Sequence, residues 1–202
     1  MKNKIVLFLS AISFGASSLL GQSIADINYG SAPAVGGGLF LGADGGSADS
    51  IAIGFFSGAA NAGLTGWTAF QTDTSWNTTG LNVAAITGVD VDATSSSGLD
   101  AWILFSDDSL TGLVRANDWA TISGVVAPGT PAALSYQFDS ADTAANISSL
   151  AGAGTTLTIT DNGGFQGSSG VGFQLTAVPE PSAYALLGGL LALTCVMLRR
   201  RA

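Results

Sequence analysis

Short runs of β-branched, aromatic and aliphatic residues, bounded by glycine, serine and aspartate, fill the middle of this 202-residue chain. The runs cover residues 51–56, 67–70, 86–91, 101–105, 133–138, 155–160 and 171–176. In the last two runs apolar and polar residues alternate, which is typical of a strand with one buried face. Residues 102–105 are apolar without interruption, as expected of a central strand.

Clusters of turn-forming residues separate these runs, and no sustained helical periodicity is present. The cluster Asp161-Asn162-Gly163-Gly164 is predicted to begin a hairpin connection that runs to about Gly170. Many short strands with frequent turns predict an all-β fold, an antiparallel β-sandwich-like body. The high glycine and alanine content of residues 31–50 and 140–154 also allows partial disorder there.

The N-terminal residues have the organisation of a secretory signal peptide. Lys2 and Lys4 precede an apolar region, and small residues follow at positions 21, 23 and 25. We therefore predict a signal peptide at residues 1–25, with cleavage between Gly21 and Ala25; an uncleaved N-terminal anchor is the alternative. An exported Gly/Ser/Asp-rich β domain at residues 26–177 and a C-terminal segment at residues 178–202 complete the predicted organisation.

The predicted β domain has thirteen aspartates and a single basic residue, Arg115. Such a surface repels nucleic acid and anionic lipid, because binding to phosphate requires lysine or arginine. The chain contains no histidine, and its one cysteine, Cys195, lies in the C-terminal segment, as structural filler or as a lipidation site. Ser-His-Asp and Cys-His catalysis and His-ligated zinc are thereby excluded, so we predict no enzymatic activity and no cofactor other than calcium.

Four aspartates are the weak candidates for that calcium site. Asp90 and Asp92 lie on one side of an extended segment, and Asp107 and Asp108 end a predicted strand. Carboxylate oxygens are the ligands that Ca²⁺ prefers, although neither pair forms an EF-hand loop. The alternative interpretation is that all four solvate turns.

Four tryptophans could stack on sugar rings: Trp67, Trp76, Trp102 and Trp119. Trp102 lies in an apolar run and is predicted to be core. Trp76 lies in a polar segment and is the best candidate for an exposed sugar contact.

The C-terminal segment has three parts: Val178-Pro179-Glu180-Pro181-Ser182, an uncharged apolar stretch at residues 183–198, and the basic cluster Arg199, Arg200 and Arg201. The prolines are predicted to hold residues 178–181 extended, because each fixes its own φ and restricts the preceding residue. As a helix, the apolar stretch would be roughly 24 Å long, short for a bilayer core of about 30 Å. Arginines snorkelling at its cytoplasmic end would help to close the gap.

This arrangement resembles the PEP-CTERM sorting signal of Gram-negative bacteria. The resemblance implies recognition by an exosortase, a membrane-bound cysteine protease or transpeptidase that cleaves near the Pro-Glu-Pro. It also implies a transmembrane helix, an inner-membrane-anchored precursor, and a final place at the cell surface or in an exopolysaccharide matrix. An ordinary C-terminal membrane anchor is the alternative.

Together these features predict an exported cell-surface or extracellular-matrix protein with a non-enzymatic structural or adhesive role. Its predicted partners are the secretion machinery, an exosortase and exopolysaccharide, and not nucleic acid. A calcium- or polysaccharide-binding module is the alternative for the body.

Overall fold

The computed structural model describes residues 22–31, 39–73, 85–126, 129–139, 141–161, 170–179 and 181–201. Within them the chain forms strands β1 (Ser23–Ser31), β2 (Leu39–Leu41), β3 (Ser50–Phe56), β4 (Trp67–Asp73), β5 (Ala85–Asp92), β6 (Ala101–Asp107), β7 (Leu110–Ala116), β8 (Val125–Val126), β9 (Ala132–Phe138), β10 (Ile147–Ala151), β11 (Thr155–Thr160) and β12 (Gly172–Ala177), and helix α1 (Pro181–Arg201). The described body is therefore all-β, as predicted.

The strands form three sheets. In the first, β1 lies between β5 on one side and β8 followed by β9 on the other. The second is fully antiparallel, in the order β10-β7-β6-β3-β4, and the third has the order β11-β12-β2. The prediction of a purely antiparallel body was wrong for β1–β9 and β2–β12, which are parallel. Both pairs join strands far apart in sequence, and such long connections permit either direction.

All seven predicted strands are present, and β11 and β12 form an antiparallel pair; residues 162–169 of their predicted hairpin connection lie outside the described residues. Sequence patterns missed β1, β2, β7, β8 and β10. β2 and β8 are too short to show a period, and β1 overlaps the predicted signal peptide. β2 and β10 lie in the two segments for which partial disorder was the alternative, and both pair with neighbouring strands.

A phenylalanine cluster joins the three sheets. Phe173 of β12 stacks on Phe40 of β2, with ring centroids 5.3 Å apart. It also packs 4.8 Å from Phe138 of β9 and 6.2 Å from Phe105 of β6. All four rings are fully buried, so one side chain from each of four strands closes the core.

A second, smaller cluster covers the outer face of the five-stranded sheet. It contains Phe56, Trp102 and Leu113, with Trp67 and Leu104 packed against it. The sheet therefore buries apolar side chains on both faces, which explains the uninterrupted apolar run in β6. Trp102 is buried, as predicted.

The N-terminal boundary of the body differs from the prediction. β1 begins at Ser23, whose neighbour Ile24 pairs with Val125 on one side and Asp92 on the other. Ala25, placed by sequence at the end of the signal peptide, is fully buried in the core. The first strand of the body therefore begins three residues before the predicted boundary at position 26. The apolar Ile24 and Ala25 fit a buried strand as well as a signal peptide.

Candidate functional site

The C-terminal segment continues directly from the last strand. Ala177, the final residue of β12, pairs with Thr155 of β11. The backbone N–H of Val178 donates to the carbonyl of Gly154 at 2.8 Å, which extends the ladder by one pair. No spacer therefore separates the body from the predicted sorting motif.

Helix α1 begins earlier than predicted, at Pro181 rather than after Ser182. Proline is favoured at the first helical position because its φ suits a helix. An N–H at this position would have no intrahelical acceptor, so its absence costs no hydrogen bond. The prediction that Pro181 is extended was therefore wrong. Val178 and Pro179 precede the helix, and Glu180 lies outside the described residues.

Helix α1 also includes Arg199, Arg200 and Arg201, which were predicted to follow the apolar helix. Its large apolar side chains between Leu186 and Leu198 are 54–73% exposed, and none joins the core clusters of the body. Cys195 is exposed and unpaired by a disulfide.

In the part of the chain that the structure describes, no helix combines the length and the apolar character needed to cross a membrane. The predicted transmembrane helix is therefore not supported.

Asp90 and Asp92 lie on one face of β5, as predicted. Asp90 is directly opposite Asp26 of β1, and one carboxylate oxygen of Asp26 is buried without a hydrogen-bond partner among the described residues. Hydrogen bonds from Thr94, first from its side chain and then from its backbone N–H, lower the pKa of Asp92. Sequence reasoning missed Asp26, because it was assigned to no strand.

Asp107 and Asp108 support the neighbouring loop. The Asp107 carboxylate accepts the N–H of Ala43 at 2.8 Å, and a Cβ on Gly42 would clash with that carboxylate. Asp108 has φ 50° and donates its N–H to the Asp49 carboxylate at 2.8 Å. These contacts give both residues a structural role in the turn.

The four calcium candidates are not assembled into one group. Asp90 and Asp92 belong to the first sheet, whereas Asp107 and Asp108 lie at the end of a strand of the second. Among the described residues, no group of three or more aspartate, glutamate, cysteine or histidine side chains could hold a metal ion. Calcium binding stays a prediction from sequence.

Asp142 was missed because nothing in its sequence neighbourhood predicts burial. Its side chain is 7% exposed and accepts hydrogen bonds from the Asp139 N–H and the Asn146 amide. Burial raises the pKa of Asp142, against the effect of these hydrogen bonds. These contacts close the turn between β9 and β10.

A groove of about 390 Å³ runs between β4 and β5, where the second sheet meets the first. Its lining residues are Phe55, Thr68, Ala69, Phe70, Gln71, Val89, Asp90, Val91, Asp92 and Ser95. The polar members are exposed, and Phe70 packs on Phe55 with ring centroids 5.1 Å apart. The groove is therefore lined by the rings of Phe55 and Phe70 beside carboxylate and amide groups.

A second cavity, of about 250 Å³, lies on the outer face of the five-stranded sheet beside Phe56, Trp102 and Asp100. Arg115 is 2.7 Å from the Asp100 carboxylate, and its guanidinium lies 5.9 Å from the centre of the Trp102 ring. The side chain of Arg115 is 12% exposed. The one basic residue of the body therefore forms an ion pair with Asp100 and lies near the Trp102 ring.

The other tryptophans occupy different positions. Trp67 packs against Phe56, and Trp119 packs against Tyr136 and Phe138. Trp76, the preferred sugar contact, lies outside the described residues.

No curated protein and no solved structure matches the chain. The family model of the PEP-CTERM protein-sorting motif matches residues 177–201. The match begins at the last residue of β12 and ends at the last residue of α1, so it coincides with the joined strand end and helix. PEP-CTERM signals are recognised by exosortase. The chain therefore carries a PEP-CTERM sorting motif and is an exported protein that an exosortase sorts.

Proposed function

We propose that this protein is a structural or adhesive component of the cell surface or extracellular matrix of a Gram-negative bacterium. Its precursor passes through the secretion machinery, is held at the inner membrane by α1, and is then cleaved near Pro179-Glu180-Pro181. The observation that supports this proposal is that the matched motif begins at the end of the packed β body and includes the exposed apolar helix.

The arginines contribute at the other end of the helix. Arg199, Arg200 and Arg201 are consecutive in sequence, and their three positive charges would favour anionic lipid headgroups on the cytoplasmic side. Their charge would keep this end of α1 at the lipid headgroups until the peptide bond is broken.

Cleavage needs only groups that the exosortase, the solvent or a surface acceptor supplies. The enzyme's cysteine thiolate attacks a backbone carbonyl, the peptide bond breaks, and the amine that leaves with α1 takes up a proton. Water, or an amine on a surface acceptor, then attacks the thioester and regenerates the thiolate. The substrate contributes the backbone of the cleavage segment.

A non-enzymatic role for the body agrees with its residue types. The sequence contains no histidine, and Cys195 belongs to the helix rather than to the body. Asp107 and Asp108 have structural hydrogen bonds of their own. Intact-mass measurement of the surface protein tests the proposal, since it requires a mature form that lacks α1.

The mature N-terminus follows from the position of β1. Signal-peptide cleavage after Ala25 would remove Ser23, Ile24 and the fully buried Ala25, whereas cleavage after Ser23 keeps two of these residues. We expect the mature protein to begin at Ile24, as measured by N-terminal sequencing of the surface form. A mature N-terminus at Asp26 would contradict this prediction.

The groove between β4 and β5 favours a second candidate function, binding of a neutral segment of the exopolysaccharide. Its volume of about 390 Å³ falls in the range of roughly 300–1,000 Å³ usual for ligand sites. Asp90 and Asp92 would accept hydroxyl hydrogen bonds, Gln71 would donate and accept, and Phe70 would contact the apolar face of a sugar ring.

Removing two of these groups should weaken polysaccharide binding. Asp90→Asn combined with Gln71→Ala is expected to lower the affinity for the host's own polysaccharide about tenfold, because a hydrogen bond contributes roughly 0.5–1.5 kcal/mol. Isothermal titration calorimetry of the purified surface form measures the affinity. Asp118→Asn makes the same charge change in an exposed loop away from the groove and should bind like wild type. Equal affinities of all three proteins would exclude the groove as the site.

A further inference from the structure

The residue before the Pro-Glu-Pro is part of a sheet. Val178 donates its N–H to the carbonyl of Gly154 at 2.8 Å, one position beyond the pairing of Thr155 with Ala177. Gly154 and Val178 are therefore directly opposite each other in the β11–β12 ladder. The fold of the body extends to within one residue of Pro179.

This pairing would compete with recognition by a processing enzyme that binds its substrate as an added strand. Extended peptides are commonly bound by strand addition, in which their backbone N–H and C=O groups pair with the receptor. Pro179 has no N–H to offer. The nearest backbone donor before Pro179 is the N–H of Val178. This N–H is already hydrogen-bonded to the carbonyl of Gly154.

A buried polar group destabilises the same end of the ladder. The hydroxyl of Thr155 is buried, and it has no hydrogen-bond partner among the described residues. A buried hydroxyl without a partner loses its hydration without compensation. The folded ladder end is thereby destabilised relative to an opened end, in which water reaches the hydroxyl.

We propose that opening of the Gly154–Val178 and Thr155–Ala177 pairs is the step that presents the cleavage segment to the exosortase. This inference rests on the proposed cleavage near the Pro-Glu-Pro. It adds that the end of the β11–β12 ladder regulates access to the cleavage segment. The rate of processing then follows the population of the opened ladder end, as for proteolysis of any segment that opens and closes rapidly.

Two variants change that population in opposite directions. Thr155→Val keeps the side-chain shape and removes the unpaired hydroxyl, so the closed end becomes more stable and processing should slow about fivefold. A Gly-Ser-Gly-Ser insertion between Ala177 and Val178 moves the cleavage segment away from Gly154, so processing should become faster than in wild type. Pulse–chase labelling of the full-length chain in the bacterium that produces it gives the half-time of conversion from precursor to mature form.

Thr160→Val is the matched control. Thr160 lies at the other end of β11, and its hydroxyl is also buried without a partner among the described residues. This variant should raise the melting temperature as Thr155→Val does, while leaving the half-time of processing unchanged.

The outcomes separate this proposal from the one on which it rests. If Thr160→Val slows processing as much as Thr155→Val, global stability governs the rate and the ladder-end proposal is overturned. Unchanged half-times in both Thr155→Val and the insertion variant would overturn it as well, while leaving exosortase cleavage in place. If wild type itself yields no shortened form, the proposed cleavage fails and the ladder-end proposal fails with it.

Discussion

Replacing Pro179, Glu180 and Pro181 together by alanine is expected to abolish the mature surface form and to trap the full-length precursor at the membrane. Pro179 precedes α1 and Pro181 is its first residue, and both keep the helix from starting earlier. Alanine is the strongest helix former, so in this variant α1 can extend upstream into the cleavage segment. The proposed cleavage segment would then be helical, a form that strand addition to an enzyme cannot use.

Intact-mass measurement of membrane and surface fractions gives the result directly. Export is expected to continue, because the N-terminal residues are unchanged. Thr194→Ala is a suitable control, since it removes only the hydrogen bond from the Thr194 hydroxyl to the Leu190 carbonyl within α1. It should be processed like wild type. A surface form of the wild-type protein that still ends at Ala202 would reduce the segment to a plain membrane anchor.

Phe173→Ala is expected to destabilise the body by about 3–5 kcal/mol, the usual cost of removing a buried phenylalanine ring. The ring contacts Phe40, Phe105 and Phe138, which come from all three sheets. Its removal therefore opens a cavity where the sheets meet. The lower free energy of unfolding should appear as a lower midpoint of urea unfolding. The slope of the unfolding free energy against urea concentration should not change.

The control for this variant is Thr158→Ala on the neighbouring strand. Thr158 is exposed, and a surface substitution of this kind changes stability by about 0.5 kcal/mol or less. A destabilisation below about 1 kcal/mol for Phe173→Ala would show that the three sheets do not depend on this contact.

The sorting motif could be predicted from sequence because its physics is local. Pro179 and Pro181 act on their own backbone and on the residue before each of them. The apolar stretch and the arginines are contiguous, so their order alone identifies the signal. β11 and β12 were predictable for a similar reason, since alternation over six residues determines which face of a strand is buried.

The groove and the ladder end depend on contacts between distant residues. Asp90 was predicted as a calcium ligand, but its position beside Phe70 exists only because the edges of two sheets meet. Similarly, the parallel pairing of β2 with β12 brings Phe40 onto Phe173 across more than a hundred residues.

By itself, then, the sequence determined the all-β class of the body, most of its strands and the sorting motif, because each depends on neighbouring residues. Tertiary structure alone decided that Ser23, Ile24 and Ala25 belong to the first sheet and that Val178 is bonded to Gly154. Apolar residues near an N-terminus suit a signal peptide and a buried strand equally. The pairing of Ile24 with Val125 and Asp92 shows that these residues form part of the first sheet.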